Sequence, residues 1–185
     1  MICSPNEGAA AAILCNEKVA DKYTRKPVKI LSCVHKVSRF PVLQVPSYCA
    51  SPTNNPSAHA EAAQEAYKIA GISPEHLDLA EVQDTDAFCE IEAYEELGFC
   101  RKGEGGKLIE EGYTERDGKL PVNVSGGLIC KGEPVGASHL GQIFELVTQI
   151  RGEAGERQVK GVKVGLAHVY GSGGHCGITI LERDW

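Results

Sequence analysis

Apolar runs of strand length alternate with segments of helical period along most of this chain, and no other feature restricts its fold as much. Val28 to Val37 (VKILSCVHKV) alternates as a strand does. Ser57 stands before a helix with Ala60, Ala63, Ala66, Tyr67 and Ala70 on related faces, and Gly71 sits where a left-handed cap belongs. Ser73-Pro74-Glu75 starts a further short turn, with proline at its first position. Leu77 to Val82 reads as a buried strand, and helix resumes from Ala87 to Leu97 until Gly98 ends it. The segment from Ala137 to Arg151 is an amphipathic helix whose apolar positions Leu140, Ile143, Phe144, Val147 and Ile150 recur at steps of three and four. Val162 to Tyr170 and Gly177 to Leu181 follow as two strands, joined by the hairpin signal Gly171-Ser172-Gly173-Gly174. The order predicts an α/β fold with a mixed sheet, and no internal repeat is visible.

Three segments sit outside that alternation. Gly8 to Asn16 reads as a buried strand of small residues leading into a short helix over Glu17 to Tyr23, which Lys26-Pro27 breaks. Phe40 to Ser57 holds Pro41, Pro46, Pro52 and Pro56 and must be loop, of a length that tends to be functional. Arg101 to Leu120 is polar and glycine-rich, and reads as loop throughout.

Composition excludes several classes. A chain of 185 residues buries roughly 70% of its unfolded surface, enough for a core without disulfides. The 19 lysines and arginines are scattered against 25 acidic residues, for a net charge of −6, which disfavours nucleic acid and anionic membranes as partners. The longest apolar stretch, Gly8 to Cys15, is far below the ~20 residues of a membrane span, and no signal segment opens the sequence. A soluble, cytoplasmic protein is the expectation. The eight cysteines contain no CxxC pair and lie mostly in apolar runs, so most are expected to be buried free thiols. His59, His76, His139, His168 and His175 do not fall at helical or finger spacing, so no metal site is expected.

Several groups carry possible chemistry. Ser125-Gly126-Gly127 lacks both the ending of a P-loop and the GxGxxG spacing of a dinucleotide site. Gly136-Ala137-Ser138-His139 opens a helix, where free N–H groups suit an anion or an oxyanion; equally, it is a tight loop that needs small residues. Gln83, Asp84, Thr85 and Asp86 follow a strand where α/β sheets form their ligand crevice, and Thr85 or Asp86 also suits a helix cap. Tyr170 stands beside small residues that let a ligand approach its phenol, a group able to act as acid or base; it also suits packing.

These residues carry a resemblance. The run from Asn123-Val124-Ser125-Gly126-Gly127 through Lys131-Gly132-Glu133-Pro134-Val135-Gly136-Ala137-Ser138 resembles the C-terminal domain of thiolases, in the branch of sterol-carrier-protein thiolases and archaeal acetyl-CoA acetyltransferases. Glu81-Val82-Gln83-Asp84 with Tyr94-Glu95-Glu96-Leu97-Gly98-Phe99 resembles the strand-plus-helix block of that branch. Gly8-Ala9-Ala10-Ala11 resembles the last strand region of the N-terminal thiolase domain. The resemblance implies a mixed five-stranded sheet flanked by helices over residues 28–185, with residues 1–27 as the last strand and helix of the N-terminal domain. It also implies that the nucleophilic cysteine lies on an N-terminal half missing from this chain, as a separate chain or a cleaved one.

The chemistry implied departs from thiolysis. Gln83 stands where that branch has the histidine that binds the thioester oxygen, and Glu133 stands where it has an oxyanion-hole histidine. A carboxylate there opposes, by charge, the transition state of acyl transfer. Such substitutions are similar to those of the aldolase-type members, which cleave the side chain of steroid CoA thioesters by a retro-aldol reaction with the help of a small OB-fold partner protein. The resemblance therefore implies Tyr170, Glu133, Gln83, Asp84, His139 and His175 as catalytic positions converging on one crevice. Ser125, Gly126, Gly136 and Ser138 are implied as positions holding the coenzyme A thioester, which is substrate rather than a tightly bound cofactor. A thiolase-type dimer is implied as well. Two other functions stay open: an acyltransferase with its cysteine on the missing half, and a non-catalytic acyl-CoA-binding subunit.

Overall fold

The computed structural model describes residues 1–38, 57–171 and 174–185. Its sheet contains β1 (Val28–Val37), β2 (Leu79–Glu81), β3 (Val164–Gly171) and β4 (His175–Arg183), in the spatial order β1-β4-β3-β2. β4 runs antiparallel to both β1 and β3, whereas β2 is parallel to β3, so the sheet is mixed as expected. The parallel pair needs a long crossover. It contains α3 (Ala87–Glu96), α4 (Gly105–Glu110), α5 (Gly127–Lys131) and α6 (Ser138–Arg151). α1 (Glu17–Ala20) precedes β1, and α2 (Ala58–Ala70) precedes β2.

α2 covers one face of the sheet and α6 the other. Strand parity divides the core between them. Leu166, Ile178 and Ile180 point toward α2, whose Ala62, Ala63 and Ala66 are small enough for the helix to lie close. Leu79, Ala167 and Leu181 point toward Leu146 and Ile150 of α6. The caps follow sequence chemistry: Ser57 Oγ accepts the Ala60 N–H at 3.1 Å, and Gly71 takes φ 70° after the last turn. Asp86 accepts from the N–H groups of Phe88 and Cys89, both at 2.9 Å, and so starts α3.

The structure corrects several expectations. Gly8 to Asn16 forms no strand, and its apolar side chains lie in solvent, with Ile13 94% exposed. A strand needs a neighbour for its N–H and C=O groups, and none of the described residues pairs with this segment. Arg101 to Leu120 is not wholly loop, because α4 forms within it; two glycines at its start hide the helical signal. The buried side of α6 is Ser138, Gln142, Glu145, Leu146, Gln149 and Ile150, while Phe144 is exposed. Polar residues are tolerated there because each has a partner: Gln142 donates to the His168 carbonyl, and Glu145 receives both Gln149 and Arg157. Among the described residues the sheet has four strands rather than five, although Val122 makes a single parallel bridge to Ala80 where a fifth would lie.

Among the described cysteines, Cys3, Cys89 and Cys176 are buried, whereas Cys15, Cys33 and Cys130 are exposed; none forms a disulfide. The expectation of mostly buried thiols holds for only part of them. No helix among the described residues is long and apolar enough to cross a membrane. The loop expected over Phe40 to Ser57 falls almost wholly outside the described residues, as does the centre of the final hairpin turn. The strands on either side of that turn pair as the signal required, Gly171 with His175.

Candidate active site at the carboxyl end of the sheet

Because β2 and β3 are parallel, their carboxyl ends lie at the same end of the sheet, which brings Gln83 and Asp84 to the side that also carries Tyr170. Within that end the expected residues separate into distinct clusters.

The first is carboxylate-rich. Gln83 Nε2 donates to Glu133 Oε1 at 2.5 Å and to Thr85 Oγ1 at 3.3 Å, and Cys3 Sγ lies 3.4 Å from Glu133 Oε2. Gln83 Oε1 is buried with no hydrogen-bond partner among the described residues. Asp84 does different work: its carboxylate accepts the Leu128 N–H at 2.6 Å and the Ile129 N–H at 3.3 Å, closing the first turn of α5. Gly127 turns around that carboxylate at φ 62°, where a Cβ would lie 2.0 Å from Asp84 Oδ2, so no larger residue fits. Burial pushes Asp84 up to about 6, against the pull of those two N–H groups. Glu81 is buried more deeply and is pushed up to about 7, although Ser125 and Lys131 favour its charged form.

Ser125 and Gly126 belong to this cluster. Ser125 donates its N–H to Glu81 at 3.1 Å, and its hydroxyl bridges Glu81 and the Lys131 ammonium. Gly126 (φ 94°) begins α5. Gly136 and Ser138 lie in another turn, the one entering α6. Gly136 takes φ 88° in open surroundings, and Ser138 Oγ donates to the Pro134 carbonyl at 3.0 Å.

The second cluster surrounds Tyr170, which is buried. Its hydroxyl donates to Cys89 Sγ at 2.8 Å, and its ring centroid is 5.4 Å from that of His59. His59 Nδ1 lies 2.8 Å from His168 Nε2. Burial pushes His59 down to about 4 and His168 well below the ordinary histidine value, so both imidazoles are neutral at pH 7. Cys176 stands opposite Tyr170 in the β3–β4 register, and burial pushes its thiol up to about 12. Ser57, Glu92 and Glu96 complete the walls of a cleft above these groups.

His139 and His175 join neither cluster. His139 Nε2 lies 3.1 Å from Thr179 Oγ1, on the α6 face, whereas Tyr170 and His168 face α2. The two faces touch through the main chain, where Gln142, bonded to His139 at 3.1 Å, donates to the His168 carbonyl at 2.8 Å. His175 is exposed and stacks on His35, with ring centroids 5.2 Å apart.

Sequence reasoning missed His59, Cys89 and Cys176. His168 was visible as the residue two before Tyr170 on the same strand face. Cys176 follows from reflecting Tyr170 across the hairpin, whereas nothing local marks His59, which reaches the sheet from the first turn of α2.

A mixed sheet between α2 and α6, with polar turns gathered at the carboxyl ends of its parallel strands, defines a thiolase-type α/β domain. Residues 45–183 match the family described as "Thiolase C-terminal domain-like", and the chain belongs to that family. The chain is 42% identical over 183 residues to an acetyl-CoA acetyltransferase of Methanothermobacter thermautotrophicus, covering 98% of this chain and 46% of that protein. It is 40% identical over 187 residues to Sterol carrier protein 2 of Bos taurus, covering 99% of this chain and 34% of that protein. It thus spans less than half the length of either relative. Among solved structures, one described as "Ltp2-ChsH2(DUF35) aldolase" superposes with a TM-score of 0.77 at 27% identity, over 91% of this chain and 42% of that one.

Proposed function

We propose that this chain is the C-terminal part of an aldolase-like carbon–carbon lyase that cleaves the side chain of a β-hydroxy acyl-CoA, the acyl group being a steroid or another polycyclic skeleton. The observation that carries this reading is the Gln83–Glu133 pair: an amide and a carboxylate bonded to each other at 2.5 Å stand where the resemblance puts two histidines. A fixed carboxylate repels the oxyanion of acyl transfer but accepts a hydroxyl proton readily. Gln83 Oε1, buried and unpartnered, is a further acceptor for a substrate hydroxyl. The likeness to a solved structure described as an aldolase supports the same direction.

In the retro-aldol step a base removes the β-hydroxyl proton, the Cα–Cβ bond breaks, and its electron pair moves into the thioester as an enolate while the hydroxyl carbon becomes a ketone. A proton then quenches the enolate. Tyr170 is the acid–base residue; its hydroxyl donates to Cys89 Sγ at 2.8 Å, and the neutral His59 ring packs beside its own. The exposed turn at Gly136, with φ 88°, is assigned to the enolate, and Ser125, Gly126 and Ser138 to the coenzyme A portion. The working assembly includes the N-terminal half, a second copy and a small OB-fold protein.

Ketone release from a β-hydroxy acyl-CoA is the assay. Tyr170→Phe keeps the ring but loses the hydroxyl, so kcat falls about 10²–10⁴-fold, the size of general acid–base catalysis. Full activity in that variant removes Tyr170 from the mechanism. A second reading, an acyltransferase whose nucleophile lies outside this chain, is favoured by the 42% identity to an acetyl-CoA acetyltransferase. Acyl exchange between CoA thioesters without ketone release would select it.

A further inference from the structure

The retro-aldol reading gives no role to Cys176, or to the fact that one ligand atom from each of His59, His168 and Cys176 lies within 4.8 Å of the others. All three side chains are at least nine-tenths buried. We propose that these residues form a binding site for a divalent transition metal of the zinc class, independent of the function proposed above.

Four observations support it. The donors are two imidazoles and a sulfur, a set that suits Zn²⁺ and discriminates against Mg²⁺ and Ca²⁺. In a tetrahedral site with bonds of ~2.0–2.3 Å, the ligand atoms are about 3.4–3.6 Å apart, so side-chain movements of about an ångström complete the geometry. His168 Nδ1 is buried and has no hydrogen-bond partner among the described residues, so its ring has an unused position in a place where unsatisfied polar atoms are costly. Glu92 and Glu96 line the cleft above and supply the negative potential that draws in a cation.

The three ligands come from two elements, α2 and the β3–β4 hairpin, so the ion joins the helix to the sheet at its carboxyl end. Three protein ligands leave a fourth position, and two of the three, His59 and His168, line the cleft that contains Tyr170. Sites with that open position bind an exchangeable oxygen or sulfur donor, whereas purely structural zinc sites are closed by four protein ligands. The ligand spacing is invisible locally because 109 residues separate the two histidines.

The test uses the protein as it is purified, with any chain that accompanies it, after chelation and titration with Co²⁺. Wild type gains one tightly bound Co²⁺ with a thiolate-to-cobalt charge-transfer absorption, and Zn²⁺ displaces it. Cys176→Ser loses that absorption. His168→Gln lowers Zn²⁺ affinity at least ~100-fold, since even residues that merely support metal ligands contribute 10–100-fold. The proposal is overturned if wild type shows no charge-transfer absorption, a result independent of whether the variants fold. Equally, it is overturned if a folded Cys176→Ser retains the absorption, because the thiolate would then lie elsewhere.

Discussion

Burial sets the ionisation of single residues here, and in opposite directions for acids and imidazoles. Glu81 has its folded value raised from 4.5 to about 7, so the stability linked to it is complete below about 4.5 and is lost as pH rises through about 7. The histidines carry the reverse sign: His59 falls from 6.5 to about 4, so its contribution is complete above 6.5 and is lost as pH falls. The two effects oppose each other between pH 4 and 7, which hides each in the wild-type curve. Glu81→Gln separates them. Relative to wild type, that variant gains about 2 kcal/mol between pH 5.5 and pH 8, measured by urea denaturation at both values. A wild-type-minus-variant difference that does not change with pH contradicts the assignment.

At the level of elements, α6 shows what was legible and what was not. Its existence and length follow from its period, and the structure changes its start by a single residue, from Ala137 to Ser138. Which side it buries does not follow, because Phe144 looks like core by hydropathy, whereas Gln142 and Gln149 are acceptable inside only because the His168 carbonyl, Glu145 and the Val159 N–H partner them. Tyr170 was readable as a candidate from its glycine-rich surroundings. His59 was not, since its place beside Tyr170 depends on α2 lying across the sheet. Glu133 and Gln83 were readable only through resemblance. The division of α6 has a measurable consequence. Leu146, wholly buried and packed over Gly165, loses about 2–5 kcal/mol of stability on change to Ala, whereas exposed Phe144 loses under about 0.5 kcal/mol. Equal effects in thermal or chemical unfolding would mean that the helix is rotated from the orientation described.

For the whole molecule, the first 27 residues decide behaviour in solution. Ile13 and Leu14 lie on the surface together with Val135 and Phe144, a set of large apolar side chains whose exposure favours association. Expressed alone, the chain is expected to aggregate, and co-expression with a polypeptide matching the remainder of its relatives is expected to give a dispersed complex. Light scattering on both preparations decides, and a stable monomer from the chain alone contradicts the expectation. The hydrogen bond from Gln142 to the His168 carbonyl has a consequence for genetics. A helix on one side of the sheet grips the backbone whose side chains serve the other side. A mutational scan for lost activity will therefore record hits at His139 and Gln142 as strong as those lining the cleft, and such a map will trace the backbone's anchorage rather than the footprint of the substrate.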